Sequence, residues 1–321
     1  MPRRLILLLC VLTAACAPVT QSPVRPFVTA TVFRATSTPQ PGQSPSPPAT
    51  VTGSPSPTDD GAALKGQVEA VLAEHPAEWR ILVKQVGGSV LYARQTTERV
   101  DTASVIKIPI ALLFFKTVTP KSEAALNDYL VKKGIDGRTF GQLLRAMLVD
   151  SEEDATSSLW TAIGESHLDV GATLRSWGAA HTDITLRKST VEDIAALLEG
   201  FYAGNLLTPA ARQVLLDYLA EYTPADEMRL GVLRGALPCG GRFYNKRGTI
   251  TKEYLLVADV AILAFPTRAG ERVYLLALFA SPGQEGATYE SLVEGMEALA
   301  RVFWGTIGAR SGLAEAGCVG P

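Results

Sequence analysis

Apolar residues fall at helical spacing over 62–73, which predicts an amphipathic helix that stops before His75 and Pro76. Two β-type runs follow, 79–86 and 89–94, separated by Gly87 and Gly88 in the pattern of a hairpin with a two-residue turn. The apolar run 108–115 again reads as helix, as do 139–149, 155–163, 191–202 and 209–220. Strand patterns return at 242–249, 255–265 and 272–280, and a last helix is expected over 289–304. The order helix, strands, helices, strands, helix predicts one α+β domain over 61–321. The two ends of that domain meet on a single sheet, a helical lobe is inserted between its halves, and a cleft lies between the lobes.

Ahead of residue 61 this patterning stops. Residues 17–60 are rich in Pro, Ser and Thr and bury no core, so they read as a linker that leans to extended conformations of about 3.1 Å per residue. Residues 1–16 read as an export signal. Arg3 and Arg4 form a basic start, 5–12 are apolar, and Thr13, Ala14 and Ala15 are small. The apolar run is short of the about 20 residues that a spanning helix requires. Leu12-Thr13-Ala14-Ala15-Cys16 is similar to a bacterial lipobox, although Thr13 stands where the leucine is usual and Leu12 lies one step further back. Cleavage before Cys16 implies lipidation of that cysteine and a lipoprotein anchored on the extracytoplasmic side of a bacterial membrane.

Composition narrows the classes. The chain has 321 residues, 47% of them hydrophobic, enough for a sizeable core. A formal net charge of −2 offers no basic surplus for nucleic acid. His75, His167 and His181 show no metal-ligand spacing, and no G-x-S-x-G turn supports a serine–histidine triad. Cys10 leaves with the signal and Cys16 would carry lipid, so Cys239 and Cys318 remain. In an oxidising compartment they are either a disulfide or two unpaired thiols, and both readings stand.

The chemistry concentrates at Ser104-Val105-Ile106-Lys107, just ahead of the apolar run 108–115. Residues three apart share a helix face, about 5–6 Å apart at Cβ, so Lys107 can reach the Ser104 oxygen. A serine hydroxyl is a poor nucleophile without an adjacent base, and a desolvated lysine can lose its proton and serve as one. Backbone N–H groups in a first helical turn favour negative charge developing beside Ser104.

With the export signal, the helical middle, a lysine–glycine strand and the terminal helix, this stretch resembles the penicillin-recognising serine hydrolases, and within them the class A β-lactamase-like branch. The likeness covers about 61–306. It implies an antiparallel sheet flanked by the terminal helices, with the helical lobe inserted, and makes Ser104 the acylated nucleophile and Lys107 its partner. The family's S-D-N motif corresponds to Ser151-Glu152-Glu153, where Ser151 relays a proton to the leaving nitrogen and Glu153 replaces asparagine. Read without the family, Ser151-x-x-Asp154 is a helix cap. The K-T/S-G motif corresponds to Lys246-Arg247-Gly248-Thr249. Lys246 then supplies positive charge, Arg247 replaces a hydroxyl that helps hold a substrate carboxylate, and Gly248 admits a substrate backbone. The N–H groups of Ser104 and Thr249 form the oxyanion hole.

Two departures shape the expected activity. A carboxylate at Glu153 beside Lys107 should favour the charged ammonium and blunt the base. The family's E-x-x-L-N loop, whose glutamate activates water, corresponds to 176–187, where Asp183 is the only carboxylate. Acyl-enzyme should therefore form and linger. The expected protein is a lipid-tethered serine hydrolase for β-lactam-like or cell-wall-peptide-like substrates, a peptidase or esterase among the options. The alternative from another class is a cell-envelope binding lipoprotein that keeps the fold and has lost turnover. The Ser–Lys chemistry is self-sufficient and implies no metal or organic cofactor.

Overall fold

The computed structural model describes residues 57–118, 122–221, 228–283 and 286–312, with side chains from residue 61 onward. Cys16, Cys318, the export signal and nearly all of the linker lie outside the described residues. Helix α1 spans Pro57–Glu74, starting five residues ahead of the expected helix start at residue 62. Proline is at home in a first helical turn.

Strands β1 (Glu78–Gln85) and β2 (Val90–Arg94) form the expected hairpin. Its connection is longer than two residues: Gly88 N donates to Gln85 O and Gln85 N to Ser89 O, with Gly87 at φ +64°. After the two-residue β3 (Val100–Asp101), a 3-10 turn at Ala103–Ile106 leads into α2 (Lys107–Thr117). The helical lobe continues with α3 (Glu123–Lys132), the short pair β4 (Gly134–Ile135) and β5 (Arg138–Thr139), α4 (Phe140–Leu148), α5 (Glu153–Glu165) and α6 (Val170–Ser176). It closes with β6 (Lys188–Ser189), α7 (Val191–Tyr202) and α8 (Pro209–Ala220). The chain returns to the sheet as β7 (Arg242–Ile250), β8 (Leu256–Thr267) and β9 (Gly270–Ser281), then ends in α9 (Tyr289–Arg310).

The main sheet is antiparallel in the order β2-β1-β9-β8-β7, so the first and last thirds of the domain share one sheet, as expected. Two cores flank it. On β9, Leu276, Leu278 and Ala280 pack with α1 and α9 through Leu64, Val68, Met296, Leu299 and Phe303. The alternate residues Leu275, Ala277 and Phe279 pack with the helical lobe through α2, α4 and α7. Successive side chains on a strand point to opposite faces, so a strand covered on both faces must be apolar at nearly every position. That is why 256–265 reads as an unbroken hydrophobic run, interrupted only by Asp259. β7 is an edge strand, and its edge forms one wall of the cleft. Among the described residues no helix is long and apolar enough to cross a membrane.

Candidate active site

Ser104 sits in the 3-10 turn that opens α2, and the preceding chain fixes that turn in place. Ala103 N donates to Asp101 Oδ1 at 3.1 Å, and Val105 N to Thr102 O at 3.0 Å. Thr102 donates to the Arg187 carbonyl from both its N (3.0 Å) and its Oγ1 (2.9 Å), which ties the turn to the loop before β6. Ala103 (φ +47°), Ser151 (+59°), Arg187 (+55°) and Arg229 (+59°) all occupy the left-handed region, four of the seven such non-glycine residues described. Backbone held this way costs about 1–3 kcal/mol per residue and persists where the surroundings over-determine it. Here it collects around Ser104.

Lys107 is wholly buried. Its Nζ lies 3.2 Å from Ser104 Oγ, 2.6 Å from Ser151 O, 3.2 Å from Ser151 Oγ and 2.7 Å from Glu153 Oε1. Lys246, also buried, donates to the same Ser151 Oγ at 3.0 Å from β7. The Ser151 hydroxyl thus stands between two lysines and does not cap α5. Glu152 holds the N-cap position, with no side-chain cap bond, which overturns the capping reading.

Glu153 favours the charged form of Lys107, as expected, but a larger effect opposes it. Burial pushes the Lys107 ammonium below the usual lysine range, and this outweighs the opposing pull of the Glu153 carboxylate. Arg187 gives the reason that pull is limited. Its Nη1 lies 2.7 Å from Glu153 Oε2 and its Nη2 3.3 Å from Oε1, so the carboxylate is shared between two cations. Partial burial works against the Glu153 charge, but the bonds from Arg187 and Lys107 prevail and hold its pKa at about 2. Asp183, the only carboxylate of the shortened loop, is turned to loop closure: it pairs with Arg99 at 3.1 Å and accepts Leu186 N at 2.9 Å.

Across the cleft, Gly248 meets the nucleophile's turn at backbone distance. A Cβ there would stand 2.8 Å from Thr102 O and 3.1 Å from Ser104 N, so only glycine lets β7 approach this closely. Thr249, the next residue on β7, lines the same cavities as Ser104. A cavity of about 570 Å³ opens here, lined by Ser104, Ser151, Arg229, Lys246, Arg247 and Thr249 among others. A second, of about 360 Å³, opens on the other side of Ser104 beside Asp101, Glu153, Arg187, Glu253 and Tyr254. Lys246 and Arg247 make the β7 side of the first cationic. The expected site residues Ser104, Lys107, Ser151, Glu153, Lys246, Arg247, Gly248 and Thr249 therefore come together around one cleft.

Three contributors escape a motif-based reading. Arg187 ends a loop with no motif of its own. Arg229 is buried, bonds Gly248 O and Ala258 O at 3.0 Å and Thr249 Oγ1 at 2.6 Å, and has no hydrogen-bond partner at Nε among the described residues. Asp259, wholly buried behind β7, accepts Asn245 Nδ2 and Leu230 N at 3.2 Å, and burial raises its pKa to about 6 against the pull of Arg229 and Asn245. A lone aspartate in an apolar strand was the available signal for Asp259, since such a residue needs partners. Cys239 is disulfide-bonded, while Cys318, the expected partner, lies outside the described residues.

Solved structures that share this architecture include β-lactamases. A β-lactamase from Chitinophaga pinensis DSM 2588 superposes with a TM-score of 0.60 at 16% identity, covering 76% of this chain and 99% of that one. TLA-1 extended-spectrum β-lactamase gives 0.59 at 16% identity over 78% and 99%. A variant of the last common ancestor of Gram-negative bacteria class A β-lactamase gives 0.58 at 21% identity over 77% and 99%. No curated protein sequence matches the chain. A profile described as the beta-lactamase enzyme family matches residues 63–306, so most of the folded domain falls within it. The chain, with its fold and its Ser104–Lys107 cleft, belongs to the β-lactamase enzyme family.

Proposed function

We propose that this protein is an exported, lipid-tethered serine hydrolase that transfers acyl groups through Ser104. One observation carries the reading: the wholly buried Lys107 Nζ lies 3.2 Å from both the Ser104 and Ser151 hydroxyls, with Lys246 on the far side of Ser151. Neutral Lys107 takes the Ser104 proton as Oγ attacks a carbonyl carbon. The oxyanion is received by the Ser104 and Thr249 N–H groups. Ser151 then passes a proton to the leaving nitrogen and is resupplied from Lys107. Lys246, Arg247 and Arg229 favour a substrate carboxylate in the larger cavity, which fits β-lactam-like or cell-wall-peptide-like substrates.

Deacylation is slow in this reading, because Glu153 and Asp183 are both committed to cations. Lipid on Cys16 and the linker 17–60 place the domain outside a bacterial membrane. Time-resolved intact mass with a fluorescent penicillin or a fluorophosphonate tests the chemistry: stable added mass on Ser104 is expected, and none with either probe rejects it. Cys16→Ala tests the anchor, and unchanged membrane partition of that variant rejects it. The competing reading, a binding lipoprotein without turnover, draws on the 2.7 Å contact of Glu153 with Lys107, and the same mass experiment separates the two.

A further inference from the structure

We propose that Arg187 is a positioning residue for acylation: its two-pronged ion pair takes up the charge of Glu153 and so lets Lys107 be neutral beside an ionised carboxylate. The inference rests on the Ser104 acyl-transfer reading and extends it to a residue outside the family's motifs.

The groups facing Lys107 define the problem. Ser104 Oγ comes from its own turn, Ser151 O and Oγ from the loop before α5, and Glu153 Oε1 from α5 itself. Lys246 reaches the same hydroxyl from β7, and Glu152, whose charge is felt at Lys107, is paired with Arg138 at 2.6 Å. Four oxygens stand within 3.2 Å of Nζ, while an ammonium has three donors. One contact can therefore run in the other sense, from the Ser104 hydroxyl to the lone pair of a neutral amine.

Lys107 is wholly buried while Glu153 stays half exposed, so water tempers the carboxylate charge, but a carboxylate with no other cation would still hold the adjacent amine in its charged form. With Arg187 present, the productive state is a neutral amine plus a closed Arg187–Glu153 pair, and no charge is left unmatched. The planar guanidinium suits this, since its fork engages both carboxylate oxygens. Its placement is also coupled to the nucleophile: the Arg187 carbonyl accepts both bonds from Thr102, two residues ahead of Ser104. Those bonds use the main chain of residue 187, so Arg187→Gln and Arg187→Lys keep the groups that make them.

The test follows Ser104 acylation by benzylpenicillin as a function of pH, by intact mass, in the parent, Arg187→Gln, Arg187→Lys and the Glu153→Gln/Arg187→Gln pair. In parallel, the Lys107 titration is followed by NMR of 13Cε-labelled lysine, assigned by its loss in Lys107→Met. Arg187→Gln should move both the acylation limb and the Lys107 titration about one pH unit alkaline, as expected for a carboxylate released onto an adjacent ammonium. At the alkaline plateau its rate should return to within about twofold of the parent if only the proton equilibrium has changed. Arg187→Lys should show a smaller shift, and the double variant, lacking both charges, should move back to the parent limb or below it.

Unmoved titration and limb in Arg187→Gln would overturn the proposal, as would slowing that is equal at every pH with the Lys107 titration unchanged. If Arg187→Gln does not fold, the double variant decides: a limb alkaline of the parent rejects the proposal. If the parent is never acylated, the acyl-transfer reading fails, while the NMR arm still decides whether Arg187 governs the Lys107 proton.

Discussion

Gly248 stands against Ser104 across the cleft so closely that a Cβ on it would lie 3.1 Å from the Ser104 nitrogen and 2.8 Å from Thr102 O. Both near atoms are backbone of the nucleophile's own turn, so neither can swing aside as a side chain would. Gly248→Ala should push the turn from β7 and disturb the paired N–H groups. Overpacking of this kind costs about 1–3 kcal/mol, and loss of one oxyanion donor costs about 10²–10³ in rate. Acylation followed by intact mass should fall at least about tenfold, with a lower unfolding midpoint. An alanine variant acylated at the parent rate would mean the oxyanion is received elsewhere.

Ser104→Ala removes one hydroxyl at a cleft wall and should leave the fold in place while abolishing added mass. Unfolding should stay within about 1 kcal/mol of the parent, because the loss is one modest hydrogen bond to Lys107. A folded variant that still gains penicillin mass would reject Ser104 as the nucleophile.

Much of this architecture could be read from the chain. The α7 and α8 boundaries, 191–202 and 209–220, fall where periodicity puts them, and in the structure Thr190 and Thr208 cap the two helices. Ser104, Lys107, Ser151 and Lys246 were readable because their spacing repeats a family pattern. Arg187 and Arg229 were not, because each acts through a main-chain conformation, φ +55° and +59°, that no local residue preference announces. The balance of forces on Lys107 was not readable for a related reason. A sequence displays the carboxylate at Glu153 but neither the depth of burial at Lys107 nor the second cation that shares the carboxylate. Helix α3 was missed because its pattern is mostly exposed, with only Leu126 and Leu130 buried.

Glu153→Gln should shift the acylation limb toward acid. The carboxylate opposes the depression of the Lys107 pKa that burial produces, so removing it should depress that pKa further and populate the neutral amine at lower pH. Acylation rate against pH checks this. A limb moved toward alkali would mean that Glu153 helps take the serine proton.

Asp259 gives a stability prediction with a defined window. Its pKa rises from 3.8 to about 6 in the folded protein, so between those values the folded state binds more protons than the unfolded chain. Stability attributable to Asp259 therefore falls as pH rises through that window. Asp259→Asn lacks this titration. The parent should gain on the variant by on the order of 2–3 kcal/mol as pH is lowered from about 6 to about 4, read from denaturant unfolding of both proteins. A pH-independent difference would show that the burial cost is met by other means.

The acyl-enzyme itself should outlast its formation. Hydrolysis needs a base to activate water, and such a base contributes about 10²–10⁴ in rate. Of the carboxylates near Ser104, Glu153 is shared between Lys107 and Arg187 with its pKa at about 2, which makes it a weak base. Asp183 is occupied by Arg99 and Leu186 N. Asp101 accepts Ala103 N and is bonded by Tyr254, so it too is engaged. After acylation by benzylpenicillin and removal of excess reagent, the added mass should decay about 10²-fold or more slowly than it formed. Hydroxylamine, a nucleophile that needs no such activation, should release it faster. If the mass instead decays as quickly as it forms, a base does act on water. Glu253, which lines the smaller cavity beside Ser104, would then be the first candidate, and Glu253→Gln should trap the acyl-enzyme.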